Sequence, residues 1–190
     1  MNISKSIVLF IVINIAFMVY LSNADQPIDR LRSSPRDVSV DEAKQMLRQN
    51  GFFDKYWNPA GGDKNKLEPE TIDQDKIITD PSTGLMWYPS GSQKFVNLKG
   101  AEEWIFDLNK KGYAGFSDWR LPTVEEAASL LENKKRNNFY LNPAFDRRQW
   151  CIWTCDTLRA DFNWLVVFSG RMEWLDRNIS LGYVRPVRSI

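Results

Sequence analysis

Three stretches of the chain place apolar residues three or four positions apart, which is the spacing of one face of an α-helix. Each stretch begins at a side chain that can cap a helix: Ser39, Asn97 and Thr123. A glutamate lies three residues after Ser39 and after Thr123, and this completes a capping box in both places. Gly51 and Gly112 are placed to end the first two helices. The pattern predicts short helices over 40–50 and 98–110, and a third that begins at 124.

Apolar runs bounded by turn residues predict short strands over 76–79, 85–88, 150–154, 162–168, 171–175 and 183–188. In the run that begins at Phe162, large apolar side chains occupy both faces, so we expect this strand to be buried on both sides. Gly170 follows it and predicts a tight hairpin. Pro186 has no N–H to donate, so the last strand must lie at a sheet edge or its ladder must break there.

Composition divides the chain into consecutive parts. Residues 1–24 carry a single charge and an apolar run over 7–21 that ends in small residues. This is the pattern of a cleavable signal peptide or of a retained N-terminal anchor. Residues 25–37 are polar and contain two prolines, as in a flexible linker. A helical leader segment and loop over 38–75 precede the main domain at 76–190.

The leader helix is too short to be stable alone, so it must dock on the main domain or on a partner. Four aromatic residues follow it closely: Phe52, Phe53, Tyr56 and Trp57. These rings either fix the leader to the main domain or form an exposed ledge for binding. The sequence leaves both interpretations open.

The stretch 112–131 joins a glycine-containing turn to the third predicted helix. Pro122 keeps the residue before it extended, just ahead of the capping threonine. Asp118 and Arg120 flank Trp119. We expect Trp119 to be buried, with the two charges paired to each other or to nearby backbone groups. A ligand contact from Asp118 or Arg120 is the alternative.

Four segments resemble the Lcl C-terminal domain family, a bacterial family of unknown function: TGLMW at 83–87, GYAGFSDWRLPTVEEAASLL at 112–131, WCIWTCD at 150–156 and YVRPVRS at 183–189. They follow the family's order, and the DWRLPT block is the most specific of them. The resemblance implies a fold similar to that of C-type lectins. The member that names the family is a surface adhesin that binds sulfated glycosaminoglycans.

The predicted elements and the resemblance together indicate an α+β, C-type-lectin-like domain. Its short helices would pack on a small irregular antiparallel sheet with long loops. In that domain the motif residues are expected to be structural. They are Trp87, Asp118, Trp119, Arg120, Pro122, Thr123, Arg185 and Arg188.

Charge and histidine content exclude several classes of protein. The chain holds 25 basic and 24 acidic residues, and removal of residues 1–24 takes away one lysine and leaves 24 of each. A nearly neutral chain does not have the basic surface of a general nucleic-acid binder, so no nucleic acid is expected as a partner. There is no histidine, which excludes Ser-His-Asp and Cys-His catalysis and removes the commonest metal ligand.

A polar run after the third predicted helix carries three adjacent basic residues, Lys134, Lys135 and Arg136. It is either a solvated loop or a patch that binds sulfate or carboxylate groups, because clustered lysine and arginine attract polyanions. Arg147 and Arg148 could join this patch in space. Trp153 is a candidate for stacking against a ligand. No residue is assigned a catalytic role.

Cys151 and Cys155 are the only cysteines. On a strand they would lie ~13 Å apart, whereas a disulfide needs Cα atoms within ~7 Å. We favour two separate, mostly buried thiols over a local disulfide, which would need a bulge or a turn. A zinc site of two thiolates without histidine has little support. The resemblance of lectin-like folds to formylglycine-generating enzymes implies a two-thiol oxidase, but the sequence shows no neighbouring catalytic machinery for it. The spacing of a calcium-binding loop is absent. No metal or cofactor is predicted.

These observations favour a non-enzymatic binding module of the bacterial envelope, periplasmic, cell-surface or secreted, for a polyanionic glycan or an envelope protein. It would contact a membrane only through an uncleaved N-terminal segment. The alternative is a structural or assembly component that docks through residues 38–57. An enzyme that uses Glu102 and Glu103, or Asp118, is a third hypothesis. Adjacent carboxylates on a helix point apart, so the first pair is weak support for acid–base chemistry.

Overall fold

The computed structural model describes residues 31–62 and 64–190, so the predicted signal segment lies outside the described residues. The described helices are α1 (Val40–Asn50), α2 (Leu98–Lys111) and α3 (Val124–Ser129). The strands are β1 (Glu68–Ile72), β2 (Asp75–Asp80), β3 (Leu85–Trp87), β4 (Cys151–Arg159), β5 (Phe162–Val167), β6 (Arg171–Asp176) and β7 (Val187–Ser189). No helix in these residues is both long and apolar enough to cross a membrane.

Helices α1 and α2 begin and end within one residue of the predicted bounds, and α3 begins at the predicted residue. Ser39 and Thr123 each accept a hydrogen bond from the N–H of the glutamate three residues later, and that glutamate accepts one from the N–H of the capping residue. Asn97 accepts from the N–H of the third residue of α2. Gly51 and Gly112 have φ values of 67° and 66°, the left-handed conformation that glycine adopts most readily. Local capping chemistry therefore determines these boundaries.

The protein is a mixed α and β fold with two small antiparallel sheets, where the sequence predicted one. The first sheet has the strand order β1-β2-β3-β7 and the second has the order β4-β5-β6. Strand β5 is central in the second sheet and is buried on both faces, as predicted. The Trp164 side chain faces the main core cluster, whereas Leu165 faces a second one.

The C-terminal segment connects the two sheets. Tyr183 pairs in parallel with Ile152 of β4, and β7 then pairs with β3 in the other sheet. Between these points residues 184–186 have no ladder pairing. The predicted strand over 183–188 is therefore interrupted at Pro186, where an N–H is missing.

Two predictions about the leader and the linker were wrong. Strand β1 lies inside the stretch predicted to be loop, because it pairs with β2 through a register that local propensity does not encode. Residues 31–37, the described part of the predicted flexible linker, are bound to the domain. The Thr157 N–H donates to the Arg36 carbonyl at 3.1 Å, and the Val38 N–H donates to the Thr157 carbonyl at 2.7 Å.

The leader helix docks on the main domain. Its buried residues Ala43, Met46 and Leu47 belong to the same core cluster as Trp87 and Trp164. Phe52 and Phe53 are also buried in this cluster. Burial of a large apolar side chain contributes about 1.5–3 kcal/mol, so the leader is an integral part of the fold.

Candidate functional site

The turn at Asp118, Trp119 and Arg120 is part of the scaffold. The Trp119 side chain is 2% exposed, and its indole N–H donates to the Tyr113 carbonyl at 3.1 Å. The Asn109 side chain accepts from the Trp119 N–H and donates to the Trp119 carbonyl, both at 2.8 Å. Every polar group of this residue is thus engaged inside the protein, and its predicted burial is confirmed.

The charges beside Trp119 pair with other charged side chains and not with each other, and Arg120 also donates to the neighbouring Leu121 carbonyl at 3.3 Å, one of the predicted backbone contacts. Asp118 accepts from Arg188 at 2.8 and 3.2 Å, and this guanidinium holds the pKa of Asp118 below its usual value. Arg120 donates to both carboxylate oxygens of Glu126 at 2.7 Å. The Arg188 guanidinium also lies 3.9 Å from the centre of the Phe116 ring. An ionised Asp118 held by arginine is poorly suited to act as a general acid.

A buried aspartate that the sequence reasoning missed joins several elements. Asp156 in β4 accepts from Arg32 at 2.8 and 2.6 Å, from the Arg36 N–H at 2.9 Å and from the Val124 N–H at 2.7 Å. Val124 is the first residue of α3, so the carboxylate also interacts favourably with the positive end of that helix. Nothing in the local pattern of β4 reveals these partners. The only signal is a charged residue inside an apolar strand.

The residues just before α3 have structural partners as well. The Pro122 carbonyl accepts from the Cys155 N–H at 2.8 Å, and the Thr123 hydroxyl donates to the Arg32 carbonyl at 3.0 Å. These bonds connect the DWRLPT block to β4 and to the segment before α1. The motif thus lies at a junction inside the molecule, as expected for a structural role.

Arg185 is an unusual core residue because its side chain is fully buried. It donates to the carbonyls of Ser90 at 3.4 Å and Asp146 at 2.5 Å, and its guanidinium lies 4.8 and 5.2 Å from the ring centres of Phe145 and Phe168. Burial lowers the pKa of this guanidinium. Trp87 is buried as well and contacts Phe145 edge-on.

The predicted basic run forms a tight hairpin on the surface. Arg136 and Phe139 exchange backbone hydrogen bonds at 2.7 and 3.0 Å, and the residues between them, Asn137 and Asn138, have positive φ values. Lys134 and Lys135 are exposed in the irregular segment that leads into this turn. We call the segment 134–139 the basic hairpin. Arg136 is less exposed than the lysines, because it pairs with Glu132 at 3.1 Å.

Of the two arginines expected to join this patch, one does so. With its side-chain oxygen turned toward Arg147, Asn137 accepts from both terminal nitrogens of that guanidinium, at 2.6 and 3.1 Å. Arg148 is exposed and donates to the Gln93 side chain. Arg147 therefore contacts the basic hairpin at its turn, whereas the guanidinium of Arg148 is directed to a different loop.

Trp153 must be removed from the candidate ligand contacts. Its side chain is fully buried, and its indole N–H donates to the Val96 carbonyl at 2.8 Å. It packs in the second core cluster with Leu165 and Val184. The sequence could not show this, because the same apolar strand pattern would place its alternate residues on either face.

A groove of about 370 Å³ lies between the leader and β6. Tyr56 and Trp174, which are 62% and 37% exposed, line it together with Trp57. The rings of Trp57 and Trp174 are nearly parallel, with centres 6.4 Å apart, and both contact the buried Trp164. We call this the aromatic groove. Phe52 docks the leader, as one interpretation predicted, and Tyr56 is exposed; a binding role for the exposed rings stays a prediction.

The two thiols are separate, as the strand geometry predicted. Cys151 is buried and Cys155 is half-buried in β4. Burial raises the pKa of Cys151 to about 11 and, together with the nearby Asp156 and Glu126 carboxylates, raises that of Cys155 to about 12. Both are therefore protonated at neutral pH, which makes them weak nucleophiles and weak metal ligands.

Carboxylates buried in the described part of the chain are occupied by structural bonds. Asp54 accepts from the N–H groups of Tyr56, Trp57 and Met172, each at 2.9 Å. Asp80 accepts from the hydroxyls of Ser82 and Thr83. Among residues 31–62 and 64–190, no three acidic or cysteine side chains converge as a metal site.

The comparisons with known proteins agree with the motif pattern. The model of the Lcl C-terminal domain matches residues 76–188, a range that covers both sheets except β1, the first residue of β2 and the last residue of β7. No curated protein and no solved structure matches the chain. Because the family match extends over more than half of the chain, this protein is a member of the Lcl C-terminal domain family.

Proposed function

We propose that the protein is a non-enzymatic, C-type-lectin-like binding module of the bacterial envelope, or a secreted one, and that its ligand is a polyanionic glycan. The observation that carries the proposal is the meeting of Arg147 with the basic hairpin. Lys134 and Lys135 extend from this hairpin into solvent. Basic side chains close together in a nearly neutral chain attract sulfate and carboxylate groups, and Lys134, Lys135 and the contact of Arg147 with the turn support such a site here.

The chemistry of the interior supports binding over catalysis. The buried carboxylates Asp156, Glu126 and Asp54 are each bonded to backbone or guanidinium donors. Asp118, the carboxylate of the enzyme hypothesis, is bonded to Arg188. Glu102 and Glu103 are exposed neighbours on α2, and Glu103 lies 3.9 Å from Lys99. None of these groups has the environment of a general acid or base.

The location rests on the apolar run over residues 7–21, which is typical of an export signal. The alternative is an assembly component that docks through residues 38–57. The packing of α1 reduces the surface of this segment that a partner could contact. The apolar face of this helix is used inside the protein, so Tyr56 and Trp57 are the aromatic side chains of this segment that remain accessible to an outside partner.

Retention on immobilised heparin tests the proposal. The variant Lys134→Ala/Lys135→Ala should elute at lower salt than the wild type, because each lost phosphate- or sulfate-type contact reduces the salt-dependent part of binding. The matched control is Lys110→Ala/Lys111→Ala, which removes the same charge from exposed positions at the end of α2. Equal elution of both variants would show that the hairpin is not a specific site.

A further inference from the structure

The outer edges of the two sheets are protected to different degrees. Edge strand β1 carries Glu68, Pro69 and Glu70, which disfavour pairing with another chain. Strand β7 is covered by its pairing with Arg120. Strand β4 is covered by Asp37 on one stretch and by Tyr183 on another. The fourth edge, that of β6, is covered only where the strand begins.

The leader covers the first residues of β6. The Lys55 N–H donates to the Gly170 carbonyl at 2.8 Å, and the Met172 N–H donates to Asp54 at 2.9 Å. The Met172 N–H therefore points away from β5. In an antiparallel ladder this direction alternates along the strand, so the N–H and the carbonyl of Trp174 also point outward. No group among the described residues bonds to either of them.

The aromatic groove lies beside this free edge. The side chains of Met172 and Trp174 share one face of β6, and the Trp174 ring stands next to Trp57. Tyr56 lines the same groove from the leader. An open strand edge therefore lies next to exposed aromatic rings, and this combination offers both main-chain hydrogen bonds and a place for an apolar side chain.

Two ammonium groups lie at the rim of the groove, beside its rings, and the one buried carboxylate that lines it, Asp54, already accepts from three backbone N–H groups. The Lys44 ammonium lies 5.5 Å from the Trp57 ring centre, and the Lys55 ammonium lies 5.3 Å from the Tyr56 ring centre. Glu173, which could neutralise them, is bonded to Arg171 at 2.6 Å. Lys44 has the exposed Asp41 at 3.9 Å, a distance at which a surface ion pair contributes little.

We propose that the free edge of β6 and the aromatic groove bind an extended, acidic segment of another protein, which adds as a strand beside Trp174. Its main chain would bond to the N–H and carbonyl of Trp174, an apolar side chain would lie against Tyr56 and Trp57, and its carboxylates would face Lys44 and Lys55. A saccharide could stack on the rings but has no need of an open strand edge, so the observations favour a peptide. This site is distinct from the basic hairpin.

Selection from a phage-displayed library of short random peptides, with the full chain as bait, supplies the probe. We expect selected peptides to be acidic with one large apolar residue. Trp174→Ala should weaken their binding at least about 10-fold, because aromatic anchors carry much of the energy of an interface. Tyr56→Ala should also weaken peptide binding. Because Tyr56 is more exposed than Trp174, this variant tests the groove even if Trp174→Ala fails to fold. Phe106→Ala, at an exposed ring on α2, is the control and should bind as wild type.

Main-chain pairing can be tested directly. Two versions of a selected peptide would be N-methylated, one at the odd-numbered and one at the even-numbered residues. Only every second N–H of the peptide faces β6, so one version should lose binding and the other should keep it. In the protein alone, the Trp174 amide hydrogen should exchange faster than that of Glu173, whose N–H faces β5. Peptide binding should slow exchange at Trp174.

Three results would overturn the proposal. The first is a library that yields no acidic peptide, or peptides whose binding is unchanged in Trp174→Ala. The second is a glycan array on which the wild type binds an oligosaccharide and Tyr56→Ala does not, together with no binding of peptides. This result would assign the groove to a sugar. The third is self-association of the full chain that Trp174→Ala abolishes, which would assign the edge to a second copy. Heparin retention tests the basic hairpin separately, so a negative result for one site does not contradict the proposal for the other.

Discussion

Arg32 donates to both carboxylate oxygens of Asp156, at 2.8 and 2.6 Å, although 124 residues separate them in the chain. The Asp156 side chain is fully buried, and it also accepts from the N–H that begins α3. This one carboxylate holds the segment before α1, strand β4 and the first turn of α3 together. The segment before the leader helix is therefore part of the domain.

Asp156→Asn should destabilise the protein by about 3 kcal/mol, because removing one partner leaves a guanidinium without its buried counter-charge. Urea denaturation followed by tryptophan fluorescence measures this change. Asp161→Asn, in the exposed turn between β4 and β5, is the control and should change the free energy of unfolding little. Equal midpoints for the two variants would contradict the role assigned to Asp156.

Glu42 provides a pH-dependent contribution at the start of α1. Hydrogen bonds from the Ser39 hydroxyl and N–H, and from Arg36, lower its pKa from 4.5 to about 2. A carboxylate whose pKa is depressed by folding stabilises the protein above its unfolded value, and this stability is lost as the pH falls through the folded value. The loss should therefore occur between pH 4.5 and about pH 2.

Glu42→Gln isolates this effect, because glutamine keeps the geometry of the capping box without a titrating group. Denaturation midpoints of this variant should depend less on pH in the same window than those of the wild type. Glu103→Gln, at an exposed position of α2, serves as the matched control. If the denaturation midpoint of Glu42→Gln depends on pH as steeply as that of the wild type, other groups govern the loss of stability in acid.

The thiols should react slowly in the folded protein. The pKa of Cys151 is raised to about 11 and that of Cys155 to about 12, so little thiolate exists at mildly alkaline pH. Labelling with a chromogenic disulfide reagent should be slow in native buffer and should reach both thiols rapidly in denaturant. Absence of free thiols after denaturation would indicate a disulfide and would contradict the separate cysteines of β4.

Arg185→Lys should cost about 2 kcal/mol of stability, because an ammonium cannot reproduce both the stacking on Phe145 and Phe168 and the fixed pair of carbonyl bonds. Thermal unfolding provides the measurement. The exposed Arg148→Lys is the control and should melt near the wild-type temperature. If Arg185→Lys has the same melting temperature as this control, the planar guanidinium of Arg185 does not contribute to the stability of the core.

Local chemistry accounts for what the sequence predicted well. The caps at Ser39 and Thr123, the glycine that ends α2 and the missing N–H of Pro186 each act within a few residues, and the structure confirms them. The basic run was likewise visible as a string of charges. These features need no knowledge of distant partners.

Long-range pairing accounts for what the sequence did not predict. Strand β1 forms because it pairs with β2. The carboxylate of Asp156 contacts Arg32 only after the chain has folded. Trp153 and Trp174 both come from apolar strands, yet the first is buried and the second lines the aromatic groove. Which face of a strand becomes interior depends on elements far away in the chain.

The DWRLPT motif is part of the scaffold, and we propose that recognition occurs at the basic hairpin. The most direct measurement compares folding stability and heparin elution in Trp119→Phe and in Lys134→Ala/Lys135→Ala. We predict that Trp119→Phe lowers the denaturation midpoint and elutes at wild-type salt, whereas the lysine variant keeps the midpoint and elutes earlier. The opposite result, a stable Trp119→Phe that no longer binds heparin, would contradict the account and would move recognition to the motif itself.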